Sequence, residues 1–449
     1  MVRSSSLACL LRVCVNALVM SLVCTCLNTP SAHAVTICVC DIDHSAALDG
    51  FLSKGQFEEA CDHFAKIADS NPEDHQARLA QGLSRFLLAL QHLGNANYQY
   101  GLISNNLTSR LPIARLPIPE NPSPAELSYA SLRKTIEQFH DDLEKAEAIL
   151  AKVETNQVEL DFYLGKVRFD FNNDGKLDAQ ESLWRVAQAI NREAFGQTEI
   201  TERQGNGFLI GVDGADVHWL RGYANLLMFT CDSILAYDEE ELFLRCGQLL
   251  FPKITSPFRT AKQPPSSTAL DTRLITDLIA AIHLMDFKVK DPERLKSAHS
   301  HILAMIRESR LCWKRTLAEK DDHYEWIPNP QQTGILSISV SQEIISGWLK
   351  VLDEMEAIVN GEKLIPYWRE YATRYIDFAE VNNTIPSRGT GVNLKKFFHE
   401  PKDFSLVLAI QGSSIEPFLE EGELSTPEAW QRLTDIFQGN FIGFAIWFN

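Results

Sequence analysis

The chain has 449 residues, of which 45% are apolar and 22% are charged, and its formal net charge is −17. This composition is typical of a globular protein, and the length is sufficient for two or three domains. The negative charge argues against nucleic acid and anionic lipid as partners, and it concentrates cations near the protein.

The first 34 residues have the layout of a secretory signal peptide. Arg3 and Arg12 precede an apolar run at 13–27, and Ala32 and Ala34 are small residues of the kind that signal peptidase requires. The run of about 15 residues is shorter than the ~20 that a membrane-spanning helix needs, and no other segment is as long. We therefore expect cleavage of signal peptide 1–34 and an exported, periplasmic or extracellular protein without a membrane span.

A lipoprotein is the alternative to a free exported chain. Cys24 and Cys26 lie near the end of the apolar run, where a lipid could be attached. Val23 and Thr25 precede them, whereas a lipobox favours glycine, alanine or serine at that position, so the sequence favours the lipoprotein less.

The cysteines beyond the signal permit disulfides if the compartment is oxidising. They are Cys38, Cys40, Cys61, Cys231, Cys246 and Cys312. Cys38-x-Cys40 has no second cysteine pair or histidine cluster beside it, as a redox or metal motif would. We predict structural disulfides or buried thiols.

Residues 45–72 have the pattern of a helical hairpin. The residues that define the pattern are Phe51, Gly55, Phe57, Ala60, Phe64 and Pro72. Small Gly55 and Ala60 are expected to let two helices approach, and Pro72 to end the second helix. The segment resembles a tetratricopeptide repeat followed by the first helix of another. Because three or more repeats build a peptide groove, the resemblance implies mainly a packing unit, with a protein or peptide partner as a weaker implication.

The central part of the chain is predicted to be helical. The proline-rich stretch 111–124 should be an extended connector, and Ser123-Pro124-Ala125-Glu126 resembles a capping box that opens a long helix. Further helices are expected to start at Asp213 or Asp216, at Asp291, and at Ser341. The expected divisions are 35–110, a helical domain at 111–361, and a C-terminal portion at 362–449.

The C-terminal portion has a different pattern. The apolar runs 406–412 and 441–448 are typical of short buried strands, and Thr426-Pro427-Glu428 opens a helix between them. We therefore predict a mainly α fold with a small C-terminal α+β portion. The apolar end of the chain should be packed into the core.

Residues 170–181, DFNNDGKLDAQE, place oxygen-bearing side chains at alternate positions around a glycine. Calcium takes six to eight hard oxygen ligands, and alternate side chains of a tightly curved loop can converge on one ion. The segment resembles the twelve-residue loop of the EF-hand family. The resemblance implies Ca²⁺ as the cofactor, held by Asp170, Asn172, Asp174, the main-chain carbonyl of Lys176, Asp178 and Glu181.

The flanks of this loop depart from a helix-loop-helix. Val167, Phe169 and Phe171 alternate with polar residues, which predicts an extended leading segment. The resemblance implies that Leu177 is buried in the core and that a helix starts near Asp178. No second loop is found, and extracellular sites of this chemistry bind calcium at about 10⁻⁴ to 10⁻³ M, so we expect a permanently filled structural site that stabilises the central helices.

No common hydrolase, metalloprotease or nucleotide-binding motif occurs, so the sequence favours a protein that is not an enzyme. Asp216 and His218 could form a general acid and base, but helix capping and an interfacial histidine explain them more simply. His299 and His301 have no third ligand at metal spacing. The stretches WLRGY, EWIPNP and GFAIWFN resemble exported bacterial proteins with this loop, for which no activity is assigned.

The first hypothesis is an exported calcium-binding protein that acts as a binding or scaffolding component. The alternatives are a hydrolase with a site between the helical and C-terminal parts, and a peptide-binding adaptor that uses the hairpin.

Overall fold

The computed structural model describes most of the chain beyond the predicted signal peptide. The described residues are 43–103, 116, 118–156, 158–185, 201–258, 272–334, 340–371, 385–437, 441 and 444–445. The predicted signal peptide with Cys24 and Cys26, Cys38, Cys40 and most of the proline-rich connector lie outside them.

The chain is mainly helical with short strands, as the sequence predicts. The α-helices are α1 (His44–Leu52), α2 (Phe57–Ser70), α3 (His75–Tyr100), α4 (Tyr129–Leu150), α5 (Glu202–Asn206), α6 (Gly214–Leu235), α7 (Glu240–Cys246), α8 (Thr272–Leu284), α9 (Pro292–Thr316), α10 (Gln342–Val359), α11 (Trp368–Tyr371), α12 (Leu394–His399), α13 (Leu406–Gln411) and α14 (Pro427–Asp435). The 3₁₀ turns are Leu164–Lys166, Ala179–Glu181, Gly247–Leu249 and Ser413–Phe418. The strands are β1 (Glu159–Tyr163), β2 (Leu209–Asp213), β3 (Tyr237–Asp238), β4 (Asp286–Val289), β5 (Ile365–Pro366), β6 (Arg388–Val392), β7 (Phe404–Ser405) and β8 (Leu419–Glu423).

The N-terminal hairpin is formed by α1 and α2. Phe57 and Phe64 are almost fully buried, as expected for side chains that fill the space between helices. Gly55 does not lie at the helix contact, contrary to the prediction, because it forms the connecting turn with φ of 64°. A β-carbon there would lie 3.2 Å from the carbonyl oxygen of Arg168, so the glycine lets the turn approach the leading segment of the loop at 170–181.

The centre of the molecule is a row of packed helices in which α3 contacts α4, α4 contacts α6, and α6 contacts α9. The predicted apolar stripe of α4 is buried at Phe139, Leu143 and Leu150. The helix starts at Tyr129 with Ser128 as its cap, and the predicted start at 123–126 is therefore wrong. The reason is that Leu127 bonds Lys253 and Thr255 through its main chain, which holds this stretch extended.

The other predicted helix starts are confirmed. Asp213 caps α6, Asp291 caps α9, and Ser341 caps α10, each through a side-chain oxygen that accepts from the first turn. In the first of these caps Asp213 and Asp216 form a reciprocal pair, since each carboxylate accepts a bond from the other residue's main-chain N–H. These caps satisfy amides that would otherwise lack partners.

A two-stranded antiparallel ribbon of β1 and β2 lies beside the helices. Its register pairs Glu159 with Asp213 at one end and Tyr163 with Leu209 at the other. Residues 164–208, which connect the two strands at the Tyr163 end, include the loop at 170–181. Residues that follow Asp213, at the opposite end, form the start of α6.

The C-terminal portion contains the sheet β5-β6-β8, while β7 joins β3 and β4 in a second sheet. The α+β prediction for this portion is confirmed, but the assignment of its apolar runs is wrong. Residues 406–411 form α13, which ends at Gly412 with φ of 115°, and the described residues of 441–448 are helical. Phe444 is buried and stacks on Trp313 with ring centroids 5.6 Å apart, so the described part of this run packs into the core.

Candidate functional site

The leading segment of the loop at 170–181 is extended, as its alternating pattern predicts. Val167, Phe169 and Phe171 are all buried, and the rings of Phe169 and Phe171 stack at 4.8 Å. Gly94 of α3 lies against Phe171, and a β-carbon there would meet the ring at 2.1 Å. Large apolar side chains therefore support the buried side of the loop.

Hydrogen bonds tie this segment to the N-terminal helices. The amide of Arg168 donates to the carbonyl of Leu52 at 3.1 Å. The side chain of Asn95 donates to the carbonyls of Asp170 and Phe171 at 2.6 and 3.0 Å. The loop thus contacts α1 and α3, which precede the predicted helical domain at 111–361 in the chain.

The first half of the loop is curved by its own side chains. The carboxylate of Asp170 accepts from the amides of Asp174 and Gly175 at 3.1 and 3.0 Å, and Asn172 Oδ1 accepts from Asp174 at 3.0 Å. Asn173 and Gly175 adopt φ of 59° and 72°, in the left-handed region that a tight turn requires. The predicted ligand residues 170, 172 and 174 therefore belong to one compact turn.

Asp174, Lys176 and Asp178 lie on the exposed side of the loop. Asp174 accepts from the amide of Lys176 at 2.8 Å, and this bond lowers the pKa of the carboxyl. The ammonium group of Lys176 is 3.3 Å from the same carboxylate, where it offsets part of the negative charge.

Glu181 is the buried member of the predicted ligand set, with no exposed surface. Its Oε1 accepts from the amides of Phe171 and Asn172 at 2.8 and 3.3 Å, which places the carboxylate against the start of the loop. Its Oε2 is buried and has no hydrogen-bond partner. Burial raises the pKa of Glu181, and the charges of Asp170 and Asp178 add to the effect.

The two ends of the loop pair as short extended segments. The amide of Phe169 donates to the carbonyl of Glu181 at 2.9 Å, and that of Leu183 donates to Val167 at 3.0 Å. The predicted helix start near Asp178 is wrong, because residues 179–181 form a 3₁₀ turn and Ser182 is extended. Residues 183–185 are helical, and the rest of the predicted exiting helix lies outside the described residues. Leu177 is 41% exposed, so its predicted burial in the core is wrong: it lies over Gly55 at the surface.

An acidic cavity of about 240 Å³ lies at the opposite end of the β1–β2 ribbon. It is enclosed by the Glu159–Asp213 end of the ribbon, the first turn of α6, and the segment that follows α9. The charged residues that line it are Glu159, Asp213, Arg315, Glu319, Asp321, His323 and Glu325. Gly214 permits this close packing, since a β-carbon there would lie 1.9 Å from the carbonyl oxygen of Thr155.

Three carboxyl groups converge in this cavity. Oxygen atoms of Asp213, Glu319 and Glu325 lie within 4.8 Å of one another. Burial and the neighbouring Asp213 raise the pKa of Glu319 to about 9, and burial raises that of Glu325 to about 7. The Oε1 atom of Glu319 is buried without a hydrogen-bond partner. Because these carboxyls face one another, the cluster favours retention of a proton.

Other groups at the cavity are held by specific contacts. His323 Nε2 lies 3.0 Å from both oxygens of Asp161, and this carboxylate outweighs burial and raises the pKa of His323. Arg315 donates to Thr155 Oγ1 at 2.6 Å. Tyr324 adopts φ of 54°, a strained conformation for a bulky residue. Backbone strain of this kind is concentrated at functional sites.

The cavity was only partly visible in the sequence. Asp213 was identified there as a helix cap, and Glu325 only as part of the EWIPNP stretch. Asp216 and His218 do not act together, because Asp216 accepts from the amide of Asp213 while His218 bonds Glu308 at 2.7 Å. The simpler explanation, capping plus an interfacial histidine, agrees with these contacts.

The four cysteines among the described residues, Cys61, Cys231, Cys246 and Cys312, are buried free thiols. No helix of the described part combines the length and apolarity needed to cross a bilayer. No protein-family model, curated protein or solved structure matches this chain.

Proposed function

We propose that residues 170–181 bind Ca²⁺ and that the ion is a structural component of an exported scaffolding protein. The observation that carries this proposal is Glu181, whose Oε2 is buried at the loop without a partner. An oxygen in that position costs free energy unless it is hydrogen-bonded, protonated or bound to a cation. Calcium would supply the missing interaction and favour the ionised carboxyl.

The donor set suits a hard cation. Asp170, Asp174, Asp178 and Glu181 offer carboxylate oxygens, Asn172 an amide oxygen and Lys176 its main-chain carbonyl. Oxygen ligands without nitrogen or sulfur are those that calcium prefers. Lys176, now beside Asp174, is exposed and can move away when an ion takes over the charge compensation.

The contacts of the loop support a bracing role at the N-terminal helices. Its leading segment bonds Leu52 at the end of α1 and Asn95 in α3, and Phe169 packs on Phe57 of α2 with ring centroids 5.2 Å apart. An ion that fixes Asp170 relative to Glu181 would hold the two ends of the loop together, and through them these three helices.

The test is calcium titration of the exported chain by calorimetry and thermal melting. At 10 mM CaCl₂, a site with Kd of about 10⁻⁴ to 10⁻³ M stabilises the folded chain by about 1.4 to 2.7 kcal/mol. Glu181→Gln should abolish most of this gain, because it removes the charge but keeps an acceptor oxygen for the amides of Phe171 and Asn172. Asp170→Ala should act similarly. Asp62→Asn is the matched control, since Asp62 is exposed on α2.

The acidic cavity is a second location where a cation could bind. The variant Glu319→Gln distinguishes binding in the cavity from binding in the loop. Calcium-dependent stabilisation that survives Glu181→Gln and disappears in Glu319→Gln would place the ion in the cavity and refute the assignment to the loop. Absence of both calcium heat and a calcium-dependent melting shift in the unsubstituted chain would refute calcium binding altogether.

The cavity favours a second candidate function, acid–base hydrolysis. A protonated Glu319 beside Asp213 offers the pairing of a proton donor and an acceptor that general acid–base catalysis requires. The strained Tyr324, between His323 and Glu325, is a second feature typical of an active site. This site lies within the helical part of the chain, and not at its border with the C-terminal portion.

Chromogenic peptide, ester and glycoside substrates test this candidate. Hydrolysis should fall by about 10²–10⁴-fold in Glu319→Gln and stay unchanged in Asp62→Asn. Hydrolysis that persists in Glu319→Gln, or none with any of the three classes, would reject it.

The peptide-binding alternative gains no support from the described hairpin. Its phenylalanines, Phe57 and Phe64, are buried, and α2 packs directly on α3. The aromatic side chains that a peptide groove would present are part of the core.

A further inference from the structure

Two histidines and an aspartate from three different helices converge at one point of the helical core. His140 lies on α4, Asp232 near the end of α6, and His301 on α9. One ligand atom from each lies within 4.8 Å of the others. His140 is 7% exposed and Asp232 is fully buried, so the residues were brought out of water by folding.

The polar atoms of this cluster are poorly satisfied. Neither ring nitrogen of His140 has a hydrogen-bond partner, and Asp232 Oδ2 has none either. Asp232 Oδ1 accepts from Arg294 at 2.8 Å, which satisfies only that oxygen. Buried polar groups require a partner. Here the unsatisfied atoms of His140 and Asp232 lie close enough together to share one.

We propose that His140, Asp232 and His301 bind a divalent first-row transition-metal cation, with Zn²⁺ as the best fit. Two imidazole nitrogens and one carboxylate are a common ligand set for zinc, and three protein ligands leave one position open for water or a substrate. The set differs from the all-oxygen loop at 170–181, which suits calcium. The two sites should therefore select different ions.

The distances agree with coordination of one ion. One ligand atom of each residue lies within 4.8 Å of the other two, which is close enough for a shared ion. The Nε2 atom of His140 is 3.4 Å from Asp232 Oδ1, and that of His301 is 3.5 Å from Asp232 Oδ2, so the carboxylate lies between the two rings. Both separations are too long for good hydrogen bonds.

The surrounding residues orient the ligands as in known metal sites. His301 Nδ1 lies 3.0 Å from Asn225 Oδ1, and the Asn225 amide donates to the carbonyl of Arg221 at 2.8 Å. That donation fixes Oδ1 as the acceptor, so His301 carries its proton on Nδ1 and presents a free Nε2 to the ion.

A route to solvent exists on one side. The side chain of His301 is 21% exposed. A water molecule can therefore reach the ion and complete its coordination.

Co²⁺ and Zn²⁺ binding to the chelator-treated exported chain tests the site, with millimolar Ca²⁺ present to keep the loop filled. We expect the chain to bind one equivalent of Co²⁺, and the bound ion to show the visible absorption of a low-symmetry site without a thiolate charge-transfer band. One equivalent of Zn²⁺ should displace it. His301→Gln and Asp232→Asn should each raise the Zn²⁺ Kd at least tenfold. His283→Gln, at an exposed histidine of α8, should leave it unchanged.

Asp232→Asn removes the charge partner of Arg294 and is therefore the variant more prone to misfold. The decisive measurement is the Zn²⁺ Kd of His301→Gln, because His301 is partly exposed. Circular dichroism checks that both variants fold. An unchanged Zn²⁺ Kd in a folded His301→Gln chain would overturn the proposal. So would a strong thiolate band that disappears in Cys38→Ser, since the ion would then be held by the N-terminal cysteines.

Discussion

The loop at 170–181 and the acidic cavity are both built from carboxylates, but they differ in how closely the carboxyls face one another. In the loop, oxygens of Asp170 and Glu181 accept from main-chain amides. In the cavity, Asp213 and Glu325 also accept from amides, but their oxygens lie within 4.8 Å of Glu319, whose Oε1 has no donor. Burial and the neighbouring Asp213 raise the pKa of Glu319 to about 9, so this crowded carboxyl favours retaining a proton.

The number of acidic residues therefore does not define a cation site. The donors that each oxygen has, and its distance from other carboxyls, decide whether the site favours a cation or a proton.

The cavity should make the folded chain less stable as the pH rises. The pKa of Glu319 is raised from 4.5 to about 9, so the folded state holds a proton that the unfolded state releases. This contribution is fully present below pH 4.5 and is lost as the pH rises through about 9. Glu319→Gln, which mimics the protonated acid, should reduce the fall in melting temperature between pH 5 and pH 9. A fall equal to that of the unsubstituted chain would show that these carboxyls are not crowded.

The packing behind the loop is tested by Gly94→Ala. Its methyl group would lie 2.1 Å from the ring of Phe171, so the variant should lose about 1 to 3 kcal/mol of unfolding free energy. Gly50→Ala in α1 is the control, because no atom lies within 4 Å of the added carbon. Denaturant unfolding of both variants without calcium should show loss only in Gly94→Ala.

The exposed ligand position is tested by Asp178→Asn. Position nine of such a loop acts mainly through water, so we expect calcium affinity to fall about three- to tenfold, by ~1 kcal/mol, with little change in calcium-free stability. Calorimetry measures both affinity and heat. An effect larger than that of Glu181→Gln would reverse the assigned importance of the buried and exposed carboxylates.

Leu177→Gln should have the smallest effect, below about 0.5 kcal/mol without calcium, because Leu177 is 41% exposed. Melting curves with and without 10 mM CaCl₂ give the comparison. A cost that appears only with calcium would show that the ion draws Leu177 into the core, as the EF-hand resemblance implies.

The helices and their caps could be predicted because their signals are local. Asp213, Asp291 and Ser341 each lie within one turn of the amides that they cap, so the spacing in the sequence carries the information. The capping-box pattern at 123–126 failed because pairing of Leu127 with the distant Lys253 and Thr255 prevailed over local preference. The prediction of a strand at 406–411 failed because a short apolar stretch does not distinguish a buried strand from a helix.

The sites show the same difference between local signals and contacts of distant residues. All side-chain ligands proposed for the loop lie within twelve residues, so spacing could identify them. Asp213 and Glu319 are brought together only by tertiary packing, as are His140, Asp232 and His301, and no spacing in the sequence indicates these clusters. Burial and missing hydrogen bonds identify them, and both are properties of the folded chain.

The length of the β1–β2 ribbon sets the distance between the two carboxylate clusters. Five registered pairs separate the Tyr163 end, which leads into the loop, from the Glu159 end at the cavity. At about 3.4 Å per residue, this fixes a spacing of about 14 Å along the strands. Since side chains alternate between faces, an insertion of one residue in β1 would turn Leu160 and Phe162 out of the core. An insertion of two residues would keep both faces of the ribbon unchanged but would move the two clusters about 7 Å further apart.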